Sequence, residues 1–301
     1  MQFRWANPTD LPAVTALMAA TGTTIDTANR TGFHDFIERR MYRPEWMRVA
    51  DRDGEVMAAA VFWGPPEGDT PASLDGLFGD ASTWTPLLAE VPNIDYHMFL
   101  PGNWRDDPAV TAALQPRQSA AAAAGLTELL ERYRYEWTTG APVPRSTGRL
   151  DFRPEPDDSA WARMFAAVAE GSLDHNTRDE VAKVGPSKYA EAEVELYKSF
   201  PSPRDWWFFA YDQAGELVGF GLPSTNHGGP VVGFLGVLPA YRGRGYVDEI
   251  LDGITRSHID RDAKRIVADT DSTNEPMARS FERSGYHRFG VRLVFSRPTA
   301  S

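Results

Sequence analysis

The chain has 301 residues, 42% of them hydrophobic and 24% charged, with a net charge of −11 and no cysteine. That balance belongs to a folded globular protein, one large domain or two ordinary ones, rather than to a disordered or membrane-spanning chain. The absence of cysteine excludes disulfides, thiolate metal sites and cysteine nucleophiles, while the acidic balance argues against a nucleic-acid surface and leaves room for a cationic substrate such as an amine.

No apolar run reaches the roughly 20 residues that a membrane span needs. The opening M-Q-F-R-W-A-N-P-T-D lacks the basic-then-apolar order of a secretory leader, so a cytoplasmic protein without a membrane partner is expected. Phe3–Asp10 reads as a short strand feeding a helix through Leu11, Val14, Leu17 and Met18. Val49–Ala60 reads as strand, glycine turn and strand, a hairpin. Ala120–Ala124 belongs to an alanine-rich helix. Thr138–Gly148, with two prolines, two glycines and no periodicity, has linker chemistry, which places a domain boundary near residue 145.

The first pattern then repeats. Phe152–Asp158 leads into a helix through Trp161, Met164, Phe165 and Val168, and Phe209–Phe220 echoes the earlier hairpin. Asp51, Gly54 and Glu55 match Asp212, Gly215 and Glu216 at one common offset. Turns of this kind are frequent, but two echoes in the same order favour duplication. Between them lies a charge-rich stretch that reads as a solvated helix pair broken at Gly185-Pro186, and Trp206–Phe209 reads as a buried strand.

Val231–Pro239 is a near-continuous apolar run, as in a buried central strand, and Pro239 ends it. Y-R-G-R-G-Y follows, then a helix with Ile250, Leu251, Ile254 and His258 on one face. A helix start offers free backbone N–H groups and partial positive charge, and Gly243 and Gly245 let a ligand approach the backbone. Arg242 and Arg244 add forked donors suited to phosphate. Together these parts make a diphosphate cradle, although turn chemistry alone fits an ordinary surface turn equally well. Arg265–Asp271 is a second buried strand, and it is followed by a helix with Pro276 in its first turn and Gly285 just past its end. His287–Phe295 closes as a strand.

V-x-P-x-x-R-G-x-G after a buried strand, then N-x-x-x-x-x-x-F-x-x-x-G-Y, resembles the GNAT family of N-acetyltransferases from about Arg149 to Arg297. The echoing first half makes the whole similar to a tandem arrangement with a degenerate N-terminal copy. The expected fold class is α/β: two GNAT-like domains, 1–145 and 146–301, each a mixed, mostly antiparallel sheet with a splayed parallel strand pair, flanked by helices. The N-terminal counterpart of the phosphate turn is expected at Phe99–Pro108, where Asp106 and Asp107 would repel a diphosphate.

The resemblance implies an acyltransferase that moves an acyl group, acetyl first, from acetyl-CoA or another acyl-CoA directly to a small-molecule amine. A monomer or homodimer fits. Alternative readings keep the fold but take the donor from a carrier protein or aminoacyl-tRNA, or keep acyl-CoA binding without catalysis. The cofactor arm would lie along Leu235, Gly236 and Val237, with the Val237 N–H as oxyanion donor. Arg242, Gly243, Arg244, Gly245, Tyr246 and Val247 would take the diphosphate, Val247 standing where glycine or alanine is usual and narrowing or shifting the pocket. Asn274 would contact the cofactor arm or simply cap its helix. Phe281, lining the same side, stands where a tyrosine acid is common and has no proton to give; Tyr286 is a lesser candidate.

An ammonium acceptor must lose a proton, and the resemblance places candidate bases at His227, Asp271 and Asp174. Asp269 and Asp271, sharing one strand face, would bind a cationic acceptor, and His175 would line its wall. A loop histidine, a solvated strand end and a helix start fit the same residues. The six histidines show neither H-x-x-x-H nor H-E-x-x-H spacing, so no metal is expected.

Overall fold

The computed structural model describes residues 1–21, 25, 33–89, 91, 94–145 and 147–298. In chain order the first elements are β1 (Gln2–Trp5), α1 (Leu11–Ala20), α2 (Phe33–Glu38), β2 (Arg48–Arg52), β3 (Glu55–Trp63), β4 (Ser73–Gly79), α3 (Trp84–Leu88), β5 (Asp95–Pro101) and α4 (Pro108–Ala123). There follow β6 (Glu128–Thr138), β7 (Leu150–Pro154), α5 (Asp158–Ala169), α6 (His175–Val184), α7 (Pro186–Lys198), β8 (Phe208–Asp212, with Trp207 extended just before it) and β9 (Leu217–Asn226). The last are β10 (Gly229–Val237), α8 (Tyr246–Ile259), β11 (Arg265–Asp271), α9 (Glu275–Arg283) and β12 (His287–Ser296).

The chain divides into unit 1, residues 1–132 with 290–301, and unit 2, residues 133–289. The division falls at Arg132/Tyr133 and Phe289/Gly290 rather than near 145, and Ser146, inside the expected linker, lies outside the described residues. The physical reason is strand pairing. The end of the chain leaves its own repeat: Gly290–Phe295 of β12 runs antiparallel to Tyr96–Pro101 of β5, inside unit 1. Conversely, β6 closes the first repeat in sequence, yet its residues from Tyr133 onward lie in unit 2, next to β11.

Within unit 1 the strand order is β1-β2-β3-β4-β5-β12, antiparallel except for β4 with β5. Within unit 2 it is β7-β8-β9-β10-β11-β6, and β10 and β11 are parallel. Both parallel pairs part early. β4 and β5 share only Ser73↔Asp95 and Leu74↔Tyr96, and β10 and β11 only Val231↔Val267. The expected mixed sheet with a splayed parallel pair is present in each unit.

The hairpin echo is physical as well. The Asp51 carboxylate accepts the Gly54 amide at 2.8 Å, and Asp212 accepts those of Ala214 and Glu216 at 2.9 and 3.0 Å. Each hairpin shifts register within two residues of that aspartate.

Alternation along β8 sends neighbours into different cores of unit 2. Phe208 and Ala210 pack with Ile250, Leu251, Ile254 and Phe281 beneath α8 and α9. Trp207 and Phe209 pack with Trp161, Phe165 and Tyr189 beneath α5 and α7. The helix pair does break at Gly185-Pro186, but α7 is not wholly solvated, because Tyr189, Ala190 and Val194 are buried.

Since Leu293 is 1% exposed on β12 in unit 1, Leu293→Ala is expected to cost about 2–4 kcal/mol in urea unfolding. Following Trp84, 4% exposed in the same unit, should show that loss as an earlier transition.

Candidate active site

The site begins where β10 leaves β11. Gly233, at φ +54, forms a bulge in β10, and a Cβ there would lie 2.2 Å from the Leu222 carbonyl. Beyond it, β10 pairs on one side only. The Leu238 amide donates to the Val218 carbonyl at 2.9 Å, and antiparallel positions alternate between bonded and non-bonded. Val237, opposite Gly219, and Leu235, opposite Gly221, therefore aim their N–H groups away from β9, towards the side that β11 has left. Leu235, Gly236 and Val237 are all partly exposed, as an open cleft edge requires.

After Pro239–Tyr241 the chain turns through Gly243 and Gly245, both at φ +76, into α8. Those left-handed dihedrals are why glycine stands at both positions. Among the described residues, no protein acceptor is found for the amides of Gly243, Arg244, Gly245, Tyr246 and Val247. Five consecutive N–H groups thus remain available at a helix start.

The acidic first turn of α8 does not cancel this field. Asp248 pairs with Arg283 at 2.7 Å and accepts the Ser280 hydroxyl; burial opposes ionisation, but these bonds outweigh it and hold Asp248 below the usual carboxylate range. Glu249 pairs with Arg149 at 3.0 Å and accepts from the Thr147 hydroxyl. Arg149 also donates to the Arg244 carbonyl at 2.9 Å, bracing the turn from just before β7. Sequence reasoning missed Arg149 because nothing local marks a residue that acts 95 positions away.

The two turn arginines differ. Arg244 is exposed, bonds the Ala240 carbonyl at 3.0 Å and lies over Tyr241. Arg242 is committed to backbone. Its Nε donates to the Val237 carbonyl at 3.1 Å, Nη1 to Glu170 and Gly171 at 2.7 and 3.3 Å, and Nη2 to Val168 at 2.8 Å. The expectation that its guanidinium grips phosphate is corrected, because those donors already hold the end of α5.

The acceptor-side expectations change similarly. Asp271 is 0% exposed and accepts the His175 amide, while Asp269 pairs with Arg134 at 3.4 Å. They share a strand face but do not form an exposed pair for a cation. Asp174 caps α6 through the Thr177 amide at 2.9 Å, and His175, the first residue of that helix, has an exposed side chain. The structure thus gathers Asp174, His175 and Asp271 at one end of β11. His227 is not among them. It lies in the β9–β10 turn, four residues before Val231 and on the closed side of the splay.

Asn274 caps α9 through the Met277 amide at 3.4 Å. Phe281 does not line a cleft: it is 2% exposed and stacks on Tyr135 at 5.1 Å. Tyr286 is buried and bonds the Thr255 hydroxyl at 2.8 Å, and burial raises its pKa, so it is no better placed to give a proton.

Glu193, missed in sequence because α7 read as solvated, is the titratable group that stands out. Tyr189, Glu193 and Tyr197 succeed one another by one helical turn along α7. Tyr189 meets the Thr177 hydroxyl at 3.3 Å, next to the Asp174 cap, and Tyr197 donates to the Gly233 carbonyl at 3.3 Å, in the β10 bulge. Glu193 lies between them. Burial first, then Asp174 and Glu180, push its carboxyl up to about 7. No bonding partner for it is found among the described residues.

Unit 1 repeats the geometry with a different outcome. The segment from β4 to α3 follows the strand that parts from its parallel neighbour, so the topological counterpart of the Gly243–Val247 turn is Asp80–Thr83 and not Phe99–Pro108, which runs from the end of β5 to the start of α4. There the Asp80 carboxylate accepts the Ser82 amide at 3.0 Å and hydroxyl at 2.7 Å, and the hydroxyl first, then the amide, lower its pKa. The Asp80 amide bonds the Met57 carbonyl, which by the same alternation directs the Leu77 carbonyl to the splayed side. Arg117 of α4, 2% exposed, donates to that carbonyl at 2.9 Å.

Residues 175–286 match the model of the acetyltransferase (GNAT) family. Over that span the chain resembles a GNAT-family acetyltransferase domain. The mycothiol acetyltransferase of Acidothermus cellulolyticus is 29% identical over 178 residues, 52% of this chain and 51% of that protein, so the chain spans about half the length of this relative. A GCN5-related N-acetyltransferase from Sphaerobacter thermophilus superposes with a TM-score of 0.62 at 16% identity, covering 100% of this chain and 97% of that one. A GNAT-family acetyltransferase from Colwellia psychrerythraea gives 0.50 at 13% identity, covering 99% and 100%. At these identities the structures establish the fold. Among the described residues, no cluster of three or more potential metal ligands occurs, and no helix is long and apolar enough to cross a membrane.

The Glu193 shift has a stability consequence. Its folded pKa lies above the unfolded value of 4.5, so the folded state holds the proton more tightly. That stabilisation is complete below about 4.5 and is lost as pH rises through about 7. Glu193→Gln is expected to flatten this part of the pH–stability curve in urea titrations and to be the more stable form at pH 8.

Proposed function

We propose that unit 2 is an acyl-CoA-dependent N-acyltransferase, acetyl-CoA being the first donor to test, acting on the amine of a small molecule. The observation that carries this is the run of five unclaimed amides at Gly243–Val247, below a strand edge whose Leu235 and Val237 amides face an opening. A diphosphate suits the first feature and a pantetheine amide chain the second. The glycine dihedrals leave the turn backbone open to close approach, and the nearby carboxylates are neutralised, so the residues present fit the coenzyme.

Acyl-CoA supplies an activated acyl group and a thiol leaving group. The chain's residues do the rest. Gly243–Val247 hold the diphosphate, and Arg244 adds charge at the exposed rim. The Val237 N–H donates to the oxygen that gains negative charge as the acceptor nitrogen attacks, which favours the transition state over the ground state. Glu193 takes the proton that the ammonium must lose, directly or through one water, since its raised pKa lies close to neutral working pH. No acid is assigned, because a thiol of pKa near 8.5 leaves readily as thiolate. Phe281 and the buried Tyr286 are consistent with that.

We propose a single donor site. In unit 1 an aspartate occupies the helix start and Arg117 fills the splayed edge at Leu77, the counterpart of Leu235.

Calorimetry with acetyl-CoA is expected to give one site per chain. Gly245→Val, forced into φ +76, should weaken binding at least tenfold, and Arg244→Glu should weaken it and reduce its salt dependence. Unaltered affinity in both variants would remove the turn as the diphosphate site. With an amine substrate in hand, kcat/KM should fall below about pH 7 in the wild type, and Glu193→Gln should lose that limb together with most of its activity.

A further inference from the structure

Eight residues, Val168–His175, join the end of α5 to the start of α6 and are tied at both ends to the splayed strands. At one end Arg242 gathers the carbonyls of Val168, Glu170 and Gly171, with its Nε on the carbonyl of Val237, the last residue of β10. At the other, the His175 amide donates to Asp271, the last residue of β11. Between these ties the segment is stiffened locally. Gly171 takes φ +61 beside the Arg242 guanidinium, where a Cβ would lie 3.2 Å from Nη1. The Ser172 amide bonds the Ala169 carbonyl at 3.1 Å, and its side chain accepts the Asp174 amide at 3.2 Å. Leu173, 48% exposed, projects from the middle.

We infer that Arg242 and Asp271 are positioning residues that make Val168–His175 a strap across the wide end of the splay, tightened when the donor fills the cleft. This rests on the reading that the cleft takes acyl-CoA. The coupling runs through one residue: Val237 offers its amide to the cleft and its carbonyl to Arg242. A ligand that fixes the amide side also fixes the carbonyl on which the guanidinium is anchored. The strap then loses freedom before the acceptor arrives, and the acceptor meets a wall already ordered. By linkage, an acceptor that touches the strap strengthens donor binding by the same factor. Arg242 thereby serves the donor without touching it, which is why its donors can all be spent on backbone.

Hydrogen exchange of the full chain, with and without acetyl-CoA, tests this at the Ser172 and His175 amides. In the wild type acetyl-CoA is expected to slow both by about tenfold. Arg242→Gln should abolish that protection while its calorimetric Kd for acetyl-CoA stays within threefold of wild type. Asp271→Asn, which keeps an acceptor oxygen, should retain the protection, and Asp271→Leu should lose it. The inference is overturned if Arg242→Gln weakens acetyl-CoA tenfold or more with strap exchange unchanged, since Arg242 would then be a phosphate ligand. It is equally overturned if bound acetyl-CoA leaves wild-type strap exchange unaltered. Should the wild type bind no acetyl-CoA, the functional reading falls and the coupling with it. The ties are still decided in the unliganded protein, where Arg242→Gln should speed exchange at Ser172 and Asp271→Leu at His175, and no change would refute them.

Discussion

Backbone groups that leave a sheet ladder must find other partners, and in unit 2 this demand concentrates where β10 parts from β11. The Gly233 bulge ends the pairing, the Leu235 and Val237 amides turn to the open side, and the turn into α8 adds five further donors. A protein that leaves so many amides in one place needs either water or a ligand rich in acceptors. The surrounding side chains are arranged around that condition: Arg149 braces the turn, Arg283 neutralises Asp248, and Arg242 steadies the last carbonyl of β10. The site is therefore chiefly main chain, with side chains holding it in shape.

The same demand is met differently in unit 1. Its parallel pair also parts early, but Arg117 reaches from α4 to the Leu77 carbonyl of β4, and Asp80 takes amide and hydroxyl groups at the following helix start. One topology thus gives an open edge in one unit and a self-satisfied edge in the other. The difference lies in a few polar side chains rather than in the order of strands and helices.

Much of this was legible from periodicity and turn chemistry. The buried strands, the glycine turn, the helix broken at Gly185-Pro186 and the paired hairpins all follow from local pattern, because local pattern decides which backbone conformations are cheap. What was not legible depends on partners distant in the chain. Nothing near Arg242 announces that α5 ends beside it, so its guanidinium read as a phosphate ligand. Asp271 read as half of an exposed pair, because alternation gives the face of a strand but not what covers that face. Phe281 read as lining a cleft because a family position was carried over without its packing. Glu193 was hidden because its raised carboxyl depends on burial under neighbouring helices, which no residue type in α7 specifies. Asp106 and Asp107 drew attention to the wrong turn, since charge is conspicuous and topology is silent.

The strand assignment of β12 bears on how the molecule comes into being. β5 takes its antiparallel neighbour from residues synthesised nearly 200 positions later. During translation the first unit therefore waits with an unfinished sheet edge until the last strand has emerged from the ribosome. Unit 2 suffers no such delay once Phe289 is out. Until Gly290–Phe295 are made, β5 is the edge most exposed to mispairing or chaperone capture.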